Sequence, residues 1–317
     1  MRVFRHIEAS GDARGAVVAA GNFDGVHLGH QAVLAHAKAI ARRDAAPFAV
    51  LTFEPHPRAV FQPGLPPFRL TPFRAKSLVL ESLGVDLLFV LHFDQAFAQK
   101  SAEDFVAETL VAGLGARTVV VGYDFVFGHK RRGTPDLLQA EGAKQHGFGV
   151  AVVAPVAAAS GTVYSSTQIR EHLVAGRPRE AAALLGRPWE IDGRVELGDK
   201  LGRTIGFPTA NIGLADYLRP APGVYAVRAG IEDGATVHWH DGAANLGWRP
   251  TVGGKDLRLE THLFDFSGDL YGKHLRVALI ERLRPEQRFD GLDALKAQIA
   301  ADCIQARGIL AAGSPVG

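Results

Sequence analysis

The unbroken apolar run Val17-Val18-Ala19-Ala20 passes through a glycine-rich turn into Val33, Leu34, Ala37, Ile40 and Ala41, spaced along one face of a helix. A strand apolar on both faces that feeds an amphipathic helix is the first half of a βαβ unit, and such units impose a parallel sheet covered by helices. The rhythm repeats. Phe48 to Phe53, Val85 to Phe93 and Arg117 to Gly122 read as further strands, with amphipathic segments such as Ala102 to Leu110 between them. A doubly wound α/β domain is expected for this half of the chain.

From about Gly186 the texture changes to short alternating stretches separated by glycine, as in Gly223 to Gly230 and Leu257 to Phe266. That is the texture of a β-barrel or sandwich. Leu295, Ile299 and Cys303 then recur at fourfold spacing, which predicts a closing helix packed on the barrel, with Cys303 as a small core residue and not a nucleophile. The boundary is expected at Gly186-Arg187-Pro188, giving domains over residues 1–186 and 187–317.

The 317 residues carry 35 basic and 33 acidic side chains, a balance that gives no reason to expect a nucleic acid. No apolar run approaches the roughly 20 residues of a membrane helix. A single cysteine suits a reducing compartment, and the first residues lack the apolar core of a signal peptide, so the expected location is cytoplasmic. Small molecules are the expected partners, which leaves room for a homo-oligomer.

Three stretches carry candidate chemistry. "GNFDGVHLGH" (Gly21 to His30) sits where the first strand should turn into the first helix, at the end of the sheet where open α/β folds bind ligands. Its glycines allow a phosphate close to the backbone, and His27 and His30 can face one ligand from the helix's positive end. A metal pair or two surface histidines remain alternatives. "GDKLGRTIGFPTANI" (Gly198 to Ile212) lacks the Walker spacing, yet Gly198, Gly202 and Gly206 with Lys200 suit a phosphate cradle. The Thr209 hydroxyl and Asn211 amide, two residues apart, suit a hard cation. In Leu257 to Phe266, period-two alternation puts Arg258, Glu260, His262 and Phe264 on one face, where Glu260 is either a general base or part of an exposed polar face.

"HLGH" resembles the H-x-G-H motif of nucleotidyltransferases, and the full "GNFDGVHLGH" resembles its version in the bacterial bifunctional riboflavin kinase/FAD synthetase family. "TFEPHP", "VGYDFVFGHKRRGT" and "SSTQIR" follow in that family's order. "PTAN" and "E-x-H" then resemble its kinase half, as do "PGVYAV" and "ANLGWRPTVGG". The resemblance spans nearly the whole chain. It implies a bifunctional enzyme that uses ATP and Mg²⁺ to convert riboflavin to FMN and FMN to FAD.

In the adenylyltransferase half it implies ATP contacts from Gly21, Phe23, Asp24, Gly25, His27 and His30, joined by Ser165, Ser166, Thr167 and Arg170. The last four also read as a plain helix cap. Flavin-side positions are Pro55, His56, Pro57, Asp124 and Phe125, and the run His129 to Arg132 lies near phosphate or is simply solvated. In the kinase half it implies ATP at Gly198, Lys200, Gly202, Gly206, Thr209 and Asn211, the metal at Thr209 and Asn211, and Glu260 as the base. Tyr164 departs from the isoleucine often found before the paired serines. An adenylyltransferase for another phosphate-bearing cofactor, or a flavin-binding regulator that has lost the chemistry, are the rival readings.

Overall fold

The structure is a computed structural model that describes residues 1–7, 14–142, 147–157, 161–197, 202, 205–234, 236–251 and 254–313, with the side chains of 250, 251, 254 and 255 outside the description. Its contacts group the chain into two units: Met1–Pro66 with Lys76–Ser165, and Pro67–Ala75 with Ser166–Gly317.

The first unit is built on a six-stranded sheet of β1 (Arg2–Phe4), β2 (Val17–Ala20), β3 (Phe48–Glu54), β4 (Leu87–His92), β5 (Thr118–Gly122) and β6 (Gly149–Val153), in the spatial order β1-β4-β3-β2-β5-β6. Every pairing is parallel. The central strands explain their own position: all four residues of β2 are buried, as are six of the seven in β3, because helices cover a parallel sheet on both faces. The helix Leu28–Arg43 supplies part of that cover through Val33, Leu34, Ala37 and Ala41, four of the five residues of the apolar stripe. The edge strands β1 and β6 escape the reading of the sequence. Their residues are mostly half-buried or exposed, so the apolar signal of a doubly covered strand is weak there.

The second unit is a curled antiparallel sheet in the order β7-β12-β9-β10-β11-β8, formed by β7 (Trp189–Arg194), β8 (Ala210–Gly213), β9 (Gly223–Asp233), β10 (Thr236–Thr251), β11 (Gly254–Leu263) and β12 (His274–Arg284). Its two edges meet. The N–H of Glu196, just past β7, donates to the Asn211 carbonyl of β8 at 2.9 Å. Gly193 permits this closure, because a Cβ there would stand 2.2 Å from Ile212 Cγ2. The interior holds Trp189, Ile191, Ile212, Tyr225, Val227, Leu257, Leu259, Leu275 and Val277. Leu70 from the 67–75 segment, and Ile169, Leu173 and Leu185 from the helices Ser166–Val174 and Pro178–Leu185, join the same core.

The closing helix, Leu292–Ala312, packs on the outside of this sheet through Cys303, Ala306, Ile309 and Leu310 against Ala226, Ala243 and Phe264. Asp302, buried on the same helix, takes a bidentate ion pair from Arg284 of β12 (Nε–Oδ1 2.9 Å, Nη2–Oδ2 2.7 Å) and a third hydrogen bond from Gln298. The Arg284 pair ties the helix to β12, and Gln298, on the same helix, holds the carboxylate in place. The first two residues of the expected stripe, Leu295 and Ile299, border a cleft.

Candidate functional sites

The loop after β2 is held in a conformation that ordinary sequences avoid. Phe23 and Val26 have φ of +48° and +44°, with Gly25 at +89° between them, so two bulky side chains occupy the left-handed region. Such strain persists only where surroundings over-determine it, and functional sites are where it concentrates. Here both side chains are buried, the Val26 N–H donates to the Phe23 carbonyl, and the Gln31 amide donates to the Val26 carbonyl at 2.9 Å.

The consequence is a fixed pair of imidazoles. His27 caps the first helix, its Nδ1 accepting the His30 N–H at 3.3 Å, and the two rings stack with centroids 3.6 Å apart and planes 20° apart. The Phe23 ring meets His30 edge-on at 5.4 Å. Gly29 leaves room for the ring, since a Cβ there would lie 3.1 Å from the His27 ring. Asp24 and His27 are both buried, and Gly21 leads directly out of β2 with its N–H on the Leu51 carbonyl.

Pro55, His56 and Pro57 follow the carboxyl end of β3, and Asp124 and Phe125 follow that of β5. β2 lies between β3 and β5 and all three run parallel, so the histidine loop and both of these segments lie along one edge of the sheet. His56 has a local task as well: its Nδ1 caps the helix Pro57–Phe61 by accepting the Arg58 N–H. Phe125 stacks on Phe127 at 5.3 Å, the start of a series of phenylalanine rings that continues through Phe105 to Phe53 and Phe97. In the basic run, His129 is tied down by its N–H to the Lys100 carbonyl and by Nδ1 against the Ala98 carbonyl.

Lys76 is a group the sequence reading passed over. It is buried beside the end of β3, with Nζ 3.3 Å from Thr52 Oγ1 and 3.5 Å from Glu54 Oε1, while the Thr52 hydroxyl donates to the Asn22 carbonyl in the histidine loop. The available signal was a lysine at helical spacing from Leu80, both on the inner face of Phe73–Ser82. Ser165 closes the first unit; Ser166, Thr167 and Arg170 begin the second, on the helix Ser166–Val174, where Arg170 Nε donates to the Phe68 carbonyl at 2.9 Å. Tyr164 donates its N–H to the Val156 carbonyl.

The second unit contains a cleft of about 330 Å³ between the curled sheet and the closing helix. Its lining includes the polar Thr209, Asn245, Arg249, Glu260 and Glu286 and the apolar Phe289, Leu295 and Ile299. Glu260 stands directly opposite Asn211 across β11 and β8, which puts both side chains on one face of the sheet. Glu260 Oε1 accepts from Arg249 Nε at 2.7 Å. Two residues on, His262 Nδ1 donates to the Pro208 carbonyl at 2.9 Å and so holds the start of the P-T-A-N stretch. Gly202 lines the cleft and Gly206 has φ of +90°, whereas Gly198 and Lys200 lie outside the described residues. Arg249, Asn245 and Glu286 were not singled out from sequence; the register of β10 against β11 sets Asn245 opposite Glu260, and the Arg249 side chain reaches Glu260 from four residues along the ladder. Cys303 lines the wall, its thiol held above the usual range by burial and then by the Asp302 charge, which suits a packing residue.

Residues 9–168 match the family model for FAD synthetase and residues 185–310 that for riboflavin kinase. The bifunctional riboflavin kinase/FMN adenylyltransferase of Escherichia coli strain K12 is 42% identical over 310 residues, covering 97% of each chain. That of Pseudomonas fluorescens is 46% identical over 94% of each chain, and that of Haemophilus influenzae 44% identical over 91% of this chain and 92% of its own. A crystal structure from Streptococcus pneumoniae, described as a macrolide-efflux protein, covers 99% of both chains with a TM-score of 0.84 and 32% identity. Among the described residues here, no helix is long and apolar enough to cross a membrane. With two family models in tandem and relatives of the same two-part composition along nearly its full length, this chain belongs to the bifunctional riboflavin kinase/FMN adenylyltransferase family.

Proposed function

We propose that the two sites work in sequence. The enzyme transfers the γ-phosphoryl of ATP to the ribityl hydroxyl of riboflavin within residues 187–317, and then adenylylates the FMN with a second ATP within residues 1–186, releasing pyrophosphate. The observation that carries this reading is the cleft of the second unit, whose lining brings Glu260, Thr209 and Asn245 together with Phe289, Leu295 and Ile299. Polar and apolar side chains on one cleft suit a substrate with a hydroxylated chain on a flat ring system.

In phosphoryl transfer, Glu260 takes the hydroxyl proton and the backbone around Gly202 and Gly206 supplies N–H donors toward ATP phosphates; Gly198 and Lys200 complete that cradle. Positioning and charge stabilisation supply most of the rate in such reactions. Thr209 and Asn211 fit a divalent cation: a hydroxyl and an amide oxygen two residues apart, with Asn211 on the Glu260 face. These neutral oxygen donors suit Mg²⁺ that arrives with the triphosphate, whose charge it would neutralise.

In adenylyl transfer the FMN phosphate attacks the α-phosphorus in line, so no protein nucleophile is needed. The stacked His27 and His30 donate to triphosphate oxygens as charge moves onto pyrophosphate, from a loop whose Gly21, Phe23, Asp24 and Gly25 shape the approach. Ser165, Ser166, Thr167 and Arg170 bind the triphosphate as well, Pro55 to Pro57, Asp124 and Phe125 flank the flavin, and the basic run His129 to Arg132 lies near phosphate. The lone cysteine is consistent with a cytoplasmic setting. Incubation with riboflavin, ATP and Mg²⁺, followed by chromatography of the flavins, tests the whole reading. FMN and then FAD are expected; bound, unchanged riboflavin would reduce the protein to a flavin-binding module.

A further inference from the structure

Arg249 makes an ion pair that strand register alone does not dictate. In the β10/β11 ladder it stands opposite Asp256, while Glu260 stands opposite Asn245. Its Nε nevertheless donates to Glu260 Oε1 at 2.7 Å, four residues farther along β11, and both side chains line the cleft with Thr209. Arg219 approaches Asp256 at 3.9 Å. A half-exposed ion pair of this kind contributes little to fold stability, so stability does not account for placing it beside the reacting groups.

We propose that Arg249 is a positioning residue for phosphoryl transfer, holding the Glu260 carboxylate by Oε1 so that Oε2 meets the substrate hydroxyl. This rests on the reading of Glu260 as the base. A glutamate turns about three side-chain bonds, and a base serves only in rotamers that reach the proton. A fixed guanidinium donor removes most of the others before substrate arrives. In the step itself the hydroxyl proton passes to Glu260 and the hydroxyl oxygen bonds to the γ-phosphorus. The bond from that phosphorus to its bridging oxygen breaks, and ADP leaves with the electron pair.

The test uses the full-length enzyme with Arg249→Met, Arg249→Lys, Glu260→Gln and the Arg249→Met/Glu260→Gln double variant. Steady-state rates are measured from riboflavin to FMN, with conversion of FMN to FAD in the same preparations as a check on folding. Arg249→Met should lower kcat about 10²-fold with KM for riboflavin and ATP within about twofold of the parent, as misplacement of a base predicts. Arg249→Lys should fall between Arg249→Met and the parent, because a lysine supplies charge without the planar fork. In the Glu260→Gln background, Arg249→Met should add nothing. Parent-level kcat in Arg249→Met overturns the proposal, as does a change confined to the KM for ATP, or a further loss of equal size on top of Glu260→Gln. If Arg249→Met does not fold, parent-level kcat in Arg249→Lys overturns it. Parent-level kcat in Glu260→Gln removes the base and this proposal together, whereas a slow Glu260→Gln beside a fast Arg249→Met removes this proposal alone.

Discussion

The first unit carries its candidate chemistry on a turn and the second carries it on strands. In the first, His27 and His30 stand in one strained loop between β2 and the helix it feeds, and their mutual geometry is set within ten residues by a cap, a ring stack and a glycine. In the second, Thr209, Asn245, Arg249 and Glu260 come from three segments, and the pairing of β11 with both β8 and β10 brings them to one cleft. A site on a turn is set by local backbone, whereas a site on a sheet face is set by register and therefore by the whole barrel. Damage to the fold should accordingly reach the second site more readily than the first.

The largest effect tests that dependence directly. A piece limited to residues 187–317 lacks Leu70, Ile169, Leu173 and Leu185, all of them within the core of the second unit, and it lacks the Leu70 carbonyl that accepts from Trp189 Nε1 at 2.8 Å. Full burial of such side chains stabilises by roughly 1.5–3 kcal/mol each, and four of them together rival the total stability of a domain, about 5–15 kcal/mol. We expect the piece to show no cooperative melt by circular dichroism, and a transition as high as that of the full chain would break the argument. Next comes Glu260→Gln, which keeps shape and removes the base. FMN formation should fall by roughly two to four orders of magnitude, with FAD formation from supplied FMN retained, and equal loss of both activities would point to general damage.

The same contrast decides what could be read from the amino-acid order. The central strands β2 to β5 were legible because burial on both faces leaves near-continuous apolar runs, and the loop Gly21 to His30 because its parts are contiguous. Glu260 was legible at half strength: period two put it on a face with His262, but nothing local said whether that face met solvent or a cleft. Arg249 was not legible, since its partner lies across a ladder and four residues off register. Neither was the membership of 67–75 in the second unit, where Arg74 pairs with Asp192 and Glu232 and Leu70 enters the core. Sequence adjacency likewise could not say that Ser166, Thr167 and Arg170 group with the second unit while Ser165 groups with the first.

If the loop site is set locally, substitutions in it should leave the other site alone. His27→Ala and His30→Ala should each slow FMN to FAD by roughly 10²-fold, the usual cost of about 3 kcal/mol for losing one preorganised donor to a developing anion. Riboflavin to FMN should stay near the parent rate. His27→Ala should be the more damaging of the two, because it also removes the Nδ1 cap on the first helix, worth about 1 kcal/mol. Assays begun separately from riboflavin and from FMN give both numbers, and parent-level FAD synthesis by both variants would make the stacked pair structural.

The smallest expected effect concerns the wall of the second cleft. Cys303 lines it beside Ile299 and Asp302, and burial together with the Asp302 charge raises the thiol's pKa, an upward shift only partly offset by Arg307. The sign follows from which form reacts: alkylating agents attack the thiolate, and a raised pKa leaves less thiolate at any pH below it. Iodoacetamide labelling followed by intact mass should therefore lag that of free glutathione near pH 7.5, and should accelerate about tenfold per pH unit as the thiolate fraction grows. If Cys303 labels as fast as glutathione at neutral pH, the wall is open to solvent and the packing of the closing helix at this point is looser than its contacts with Ala226, Ala243 and Phe264 imply. If labelling is slow but independent of pH, access through the helix limits the rate and the acidity of the thiol does not.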